Sequence, residues 1–167
     1  ITVCISRPEG NGLTVKFPRV SEPVQITKGD KEHLFASYYG INSFSRSQRY
    51  ATVLETDVKY HLPDENEPAT LGLVDLQTYE FIPLARTRAW NFQQGCMAHW
   101  LATSPDSLII YNDLREGKFV SVMMNVFTKK EIRIIPHPVS AVSPNGREAI
   151  SINFARLRIT RTDYGYG

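Results

Sequence analysis

Very little in this chain is concentrated. Among 167 residues there are 2 cysteines, 2 tryptophans and a formal net charge of only +2 from 19 basic and 17 acidic side chains. Cys4 and Cys96 could pair, but two cysteines make no disulfide framework, and two idle or buried thiols are the simpler reading. So small and scattered a positive charge gives no basic stripe, so no nucleic acid is expected as a partner. No apolar run approaches the ~18 residues of a spanning helix, so no membrane partner is expected either. No window of ~11 residues carries a good 3.6-residue apolar period, which leaves helix signals nearly absent. Nucleophile elbow, P-loop, dinucleotide fingerprint and zinc-spaced cysteines are all missing, which weighs against hydrolase, nucleotide and zinc readings. The chain begins at Ile1 rather than Met, which suggests a processed or truncated product.

What is present is β-forming. Apolar content of 42% with 22% charged residues argues for a folded domain with a core rather than disorder. β-Branched and aromatic residues dominate the apolar runs, and Gly, Pro, Asn, Asp and Ser break them. One phrase recurs. Ser45-Arg-Ser-Gln-Arg-Tyr-Ala-Thr-Val-Leu-Glu-Thr56 is answered 98 residues later by Ser143-Pro-Asn-Gly-Arg-Glu-Ala-Ile-Ser-Ile-Asn153, with a weaker copy at Ser104-Pro-Asp-Ser-Leu-Ile-Ile-Tyr-Asn-Asp113. Each is a tight polar turn before an apolar strand. Two periods of about 49 residues suit four-stranded propeller blades. Asp75-Leu-Gln-Thr78 and Asn125-Val-Phe-Thr128 repeat in the same way.

The expected fold is therefore all-β: about two and a half four-stranded blades of a larger, seven-bladed β-propeller. Residues 1–22 are an N-terminal extension and 23–167 the partial propeller domain. Pro23–Thr27 is a lone outer strand. The first blade runs through 39–44, 49–55, 70–76 and 80–84, the second through 95–101, 107–112, 119–126 and 131–135. The third stops after 139–142 and 147–153, and 156–167 reads as polar and glycine-rich. A propeller needs at least ~4 blades to close. Either the chain is a piece of a longer protein, the favoured expectation, or copies complete one another through open blade edges.

Ser143-Pro-Asn-Gly146 and Ser104-Pro-Asp106 before apolar strands resemble WD-type propeller repeats. The run Thr87-Arg-Ala-Trp-Asn-Phe-Gln-Gln-Gly-Cys-Met97, with Ile110–Asp113, Gly117–Val122 and Ser151–Leu157, is similar to a group of bacterial propeller proteins distantly similar to oligogalacturonate lyases. The compartment is left open, a soluble protein of bacterial cytoplasm or periplasm being expected, and the resemblance implies a carbohydrate-related, lyase-like function on acidic oligosaccharide. No position matches the lyase metal motif, so no metal ligand is assigned here. A divalent metal is expected only if its ligands come from outside this chain.

Strand alternation puts the long connections on one rim, where propellers usually bind. There Arg88, Trp90, Asn91, Gln93 and Gln94 combine aromatic faces for stacking with amides for hydroxyls. Trp90 and Phe92 plugging the gap between blades, with the amides capping backbone, explains the same residues. Asn112, Arg115 and Arg156 join them as ligand-binding candidates, and Arg86, Arg88, Arg115 and Arg156 could clamp a uronate or phosphate. His99, His137 and Asp113 are the catalytic candidates, with His33 a further rim histidine. Two other functions fit the rim: a non-catalytic scaffold for protein or peptide, and a binding module for a small acidic ligand.

Overall fold

Runs such as Tyr50-Ala-Thr-Val-Leu-Glu-Thr56 and Leu108-Ile-Ile-Tyr-Asn-Asp-Leu-Arg115 are apolar on both faces, and both become central strands. The computed structural model describes residues 21–166 and the backbone of three short strands before them, β1 (Thr2–Val3), β2 (Ser6–Arg7) and β3 (Arg19–Val20). After β4 (Val24–Gln25), the strands β5 (Glu32–Phe35), β6 (Tyr50–Thr56), β7 (Ala69–Asp75) and β8 (Phe81–Thr87) form an antiparallel meander in chain order. A second four-stranded meander follows, from β9 (His99–Trp100), β10 (Leu108–Arg115), β11 (Lys118–Asn125) and β12 (Lys130–Ile135). A two-stranded hairpin, β13 (Ala141–Val142) with β14 (Ala149–Ile150), and one helix, α1 (Phe154–Thr160), complete the chain. The described residues are mostly β, in several antiparallel sheets, none of which is closed among them.

The two meanders share one core. Leu54, Leu71 and Leu73 of the first pack with Ile109, Tyr111, Val122 and Met124 of the second, with Trp90 and Cys96 between. Each such side chain stabilises the fold by about 1.5–3 kcal/mol on burial. The far face of the second meander is covered by Val139, Phe154 and Tyr166. Ile26 covers Val53 and Val74 on the outside of the first. Gly72 has no side chain because the Phe81 ring lies over it, 2.4 Å from where a Cβ would be. The edge strand β12 carries Lys130, Glu131 and Arg133, which discourage further strand addition.

The recurring turns make the same bonds. Ser45 N–H donates to the Tyr50 carbonyl, Gln48 N–H to the Ser45 carbonyl, and Tyr50 N–H to Ser45 Oγ. Ser143, Gly146 and Glu148 repeat all three bonds. Asn125 copies Asp75 in a similar way: each accepts from the N–H two residues on, through its side chain.

Five expectations need correction. Pro23–Thr27 is not a lone strand, because Val24–Gln25 pairs with Thr2–Val3. The first inner strand is not continuous over 39–44: the ladder runs at Glu32–Phe35, the chain then bulges away, and only Phe44 returns to pair with Ala51. In the second meander only His99–Trp100 of 95–101 joins the ladder as a strand. Residues 113–118 are not a long loop. β10 and β11 run up to a two-residue turn at Glu116-Gly117, both with positive φ, as a type I′ hairpin requires. Residues 147–153 pair only at Ala149–Ile150, and Asn153 instead caps α1, its side chain accepting from Arg156 N–H.

Candidate functional site

The amide-rich connection after β8 folds on itself. Asn91 and Gly95 exchange backbone hydrogen bonds, and Asn91 Oδ1 accepts from the N–H groups of Gln93 and Gln94. Asn91 Nδ2 donates to the Gly165 carbonyl at 2.6 Å, and Gln94 Oε1 accepts from Gly165 N–H. The amides in positions suited to sugar hydroxyls thus hold the chain's own tail. Asn112 does likewise. It is fully buried, donates to the Val139 carbonyl and the Tyr166 hydroxyl, and accepts from Val139 N–H. Tyr166 stacks on Phe154. Trp90 is buried in the shared core, with its indole N–H donating to the Glu67 carbonyl.

Two members of that connection stay at the surface. Phe92 is exposed, and Gln93 Nε2 donates to the Tyr39 hydroxyl at 2.8 Å. They border a cleft of about 490 Å³ along β5, lined also by His33, Phe35, Tyr38 and Phe44. Tyr39 is 73% exposed, Phe35 49% and Phe92 41%. His33 Nε2 lies 3.5 Å from Glu55 Oε1, and Lys31 binds the same carboxylate. Sequence reasoning missed Phe35 and Tyr39 as surface groups. The available signal was Tyr38-Tyr39-Gly40, two aromatics at a chain reversal, taken instead for the start of an inner strand.

A second cleft, of about 520 Å³, lies where Phe44, His99 and Trp100 meet Ala141 and Val142. His99 is buried there, its Nδ1 hydrogen-bonded to the Met97 carbonyl at 2.7 Å. Burial pushes its pKa below the ordinary histidine value, although the Met97 bond works the other way. Its neighbour Trp100 donates to the Ser43 carbonyl. His99 is held as a neutral ring on a fixed strand.

A third cleft, of about 470 Å³, gathers Asn66, Arg86, Arg88, Asp113 and Arg115 where β8 meets β10. Asp113 is buried and its oxygens are occupied. Oδ1 accepts from the N–H groups of Arg88 and Leu114, and Oδ2 from Arg115 Nε at 2.5 Å. Arg115 also reaches Glu131. So engaged, Asp113 is a structural carboxylate that orients Arg115. Arg156 is elsewhere, exposed in the first turn of α1. His137 is exposed after β12, where its carbonyl accepts from Ser121 Oγ. The structure therefore unites Arg88, Arg115 and Asp113, puts Gln93 and His99 in two other clefts, and buries Trp90, Asn91, Gln94 and Asn112.

No group of three or more His, Cys, Asp or Glu side chains among the described residues is placed to hold a metal ion. Cys96 is a free, buried thiol whose pKa burial pushes well up, so it is unreactive; Cys4 lies outside the described side chains. No helix among the described residues is long and apolar enough to cross a membrane. Comparison with protein-family models, with curated proteins and with solved structures gave no match to this chain.

Proposed function

We propose that this chain is a segment of a β-propeller that binds an oligosaccharide in the cleft along β5. What supports the propeller reading is the sequential order of two four-stranded meanders, followed by a hairpin that opens with the same turn. Phe44, which bridges to β6, also meets His99–Trp100 and Ala141–Val142 around one cleft, as the inner edges of successive blades would around a channel. The ligand reading rests on a single arrangement: exposed Phe35, Tyr39 and Phe92 beside the Gln93 amide. A pyranose ring offers an apolar C–H face to an aromatic ring and its hydroxyls to amides and phenols.

Calorimetric titration with a panel of neutral and acidic oligosaccharides tests this. Tyr39→Ala and Phe92→Ala should each weaken the best binder about tenfold, the loss of one aromatic contact of ~1.5 kcal/mol. Binding of no saccharide, or unchanged affinity in both variants, would sink the reading and favour a scaffold that docks protein or peptide on this side.

The His33–Glu55 pair favours a second reading, a lyase-like activity at the same cleft. Glu55 Oε1, 3.5 Å from His33 Nε2, fixes the imidazole at the wall of the cleft, and proton abstraction next to a uronate carboxyl needs a positioned base. Unsaturated product from an acidic oligosaccharide, abolished by His33→Gln while binding persists, is the expected result.

A further inference from the structure

We propose that the cleft between β8 and β10 is a separate site for a tetrahedral oxyanion, the phosphate or sulfate ester group of a small molecule. Three guanidinium groups and one carboxylate line it, those of Arg86, Arg88, Arg115 and Asp113. They are not equivalent. Arg115 is clamped by Asp113 at 2.5 Å and Glu131 at 2.6 Å, so its charge is largely answered within the protein. Arg86 and Arg88 are exposed, and neither guanidinium has a hydrogen-bond or ion-pair partner among the described residues. Thr87, the last residue of β8, turns inward and bonds the Asn112 carbonyl; Arg86, its strand neighbour, therefore turns outward, and Arg88, in the bend that follows, is held by its N–H on Asp113. Asp113 then fixes the second wall, because one carboxylate holds both Arg88 N–H and the Arg115 side chain. The first wall is anchored by the buried Thr87 bond and the second by the part-buried bonds of Asp113.

The number of forks selects the ligand. A carboxylate presents two oxygens in one plane, and one guanidinium fork takes one lone pair of each, leaving only the outer lone pairs for a second fork. Two unpaired guanidinium groups on one wall call for an anion with more acceptors, and a phosphate or sulfate ester has three terminal oxygens. Asn66 adds an amide at the same cleft. Asp113 turns its oxygens onto three hydrogen-bond donors, and Arg115, which it shares with Glu131, meets part of its charge, so Arg86 and Arg88 set the sign of the field in the cleft.

The test is titration of the protein at low ionic strength with inorganic phosphate, inorganic sulfate and acetate, comparing wild type with the double variant Arg86→Gln/Arg88→Gln. Both side chains are exposed and unpaired, so the variant should keep its far-ultraviolet circular dichroism. In wild type, phosphate or sulfate should bind at least about tenfold more tightly than acetate, and the double variant should lose about tenfold. The arginine Nε–H resonances of wild type should shift with phosphate, a readout that needs no variant. Tyr39→Ala should leave anion binding unchanged, which separates this site from the β5 cleft. Phosphate binding more tightly than sulfate assigns a phosphate ester, and sulfate binding as tightly or more so assigns a sulfate ester; either supports the site. Acetate binding as tightly as both, an unaffected double variant, or no anion-dependent shift would overturn it.

Discussion

At the end of the sheets that carries Ser45 and Ser143, equivalent turns make equivalent bonds, and the Asp75 and Asn125 turns also match. The first turn even contacts the second copy, with Ser47 N–H donating to Asp106 and Arg46 N–H to the Pro105 carbonyl. At the opposite end no two connections agree. β6 and β7 are joined through residues 57–68, β10 and β11 by Glu116-Gly117, and β14 passes into a helix. The periodic end needs only local chemistry, a serine oxygen and a residue that tolerates positive φ. The aperiodic end is held by partners far apart in sequence, such as Asn91 with Gly165 and Trp90 with Glu67. Both features proposed to meet ligands, the aromatic cleft and the arginine cleft, lie in or beside the irregular segments.

Glycine substitutions should separate the two ends most sharply. Gly95 has φ +56, and a Cβ there would sit 2.3 Å from the Ala36 carbonyl carbon. Gly95→Ala must push apart two backbone segments and should cost about 3 kcal/mol or more. Gly146, in the repeated turn, has φ +70 but meets nothing closer than 3.1 Å. Its equivalent in the first copy is Gln48, at φ 57, so the turn accepts a side chain. Gly146→Ala should cost about 1–2 kcal/mol, the ordinary penalty of a left-handed residue. Urea unfolding of both variants checks this, and equal losses would break the distinction between local and long-range restraint.

The same distinction decides what was legible in the sequence. Strands β6, β7, β8, β10, β11 and β12 all announce themselves, because their signals lie within a few residues. The turns do too, since Ser143-Pro-Asn-Gly146 specifies its own geometry. Helix α1 was hidden. It spans one buried residue, Phe154, with Ile159 exposed, and so shows no apolar period; its start depends on Asn153, which also suited a strand end. Around Glu116-Gly117 a charged run, Asp113 to Lys118, reads as a loop and masks a hairpin whose only special requirement is positive φ. The amides at 91–94 carried a correct signal, a demand for hydrogen-bond partners, but the partner was residue 165. Nothing local distinguishes a tail from a sugar.

Two histidines extend the comparison to pH. His99, on the inner strand, has its pKa lowered by burial. The unfolded chain therefore takes up a proton below pH ~6.5 that the folded chain resists, and stability falls as the pH drops through that region. His61 sits in the exposed 57–68 connection, where Glu67 at 2.9 Å raises its pKa. Its contribution has the opposite sign: present in acid, and lost as the pH rises through the raised value. Melting temperatures between about pH 5 and pH 8 should show acid loss that flattens in His99→Gln and steepens in His61→Gln. Identical slopes in wild type and both variants would show that neither ring feels its surroundings as placed.

The smallest effect belongs to the core that both ends share. Tyr111 is fully buried, and its hydroxyl is the one buried side-chain polar atom without a hydrogen-bond partner among the described residues. Burial, reinforced by the charges of Glu131 and Asp113, pushes its pKa far up, so it stays neutral. A buried hydroxyl that bonds nothing costs its desolvation and returns only the packing of its ring. Tyr111→Phe keeps the ring and removes the cost, so stability should be unchanged or rise by up to about 1 kcal/mol. Tyr166 provides the contrast, being equally buried but accepting from Asn112 Nδ2 at 2.9 Å. Tyr166→Phe strands that amide proton and should cost about 1–2 kcal/mol. Urea unfolding of the two variants side by side gives the answer: if Tyr111→Phe costs as much as Tyr166→Phe, the Tyr111 hydroxyl is bonded in solution, and the shared core is a polar network rather than an apolar seam between the meanders.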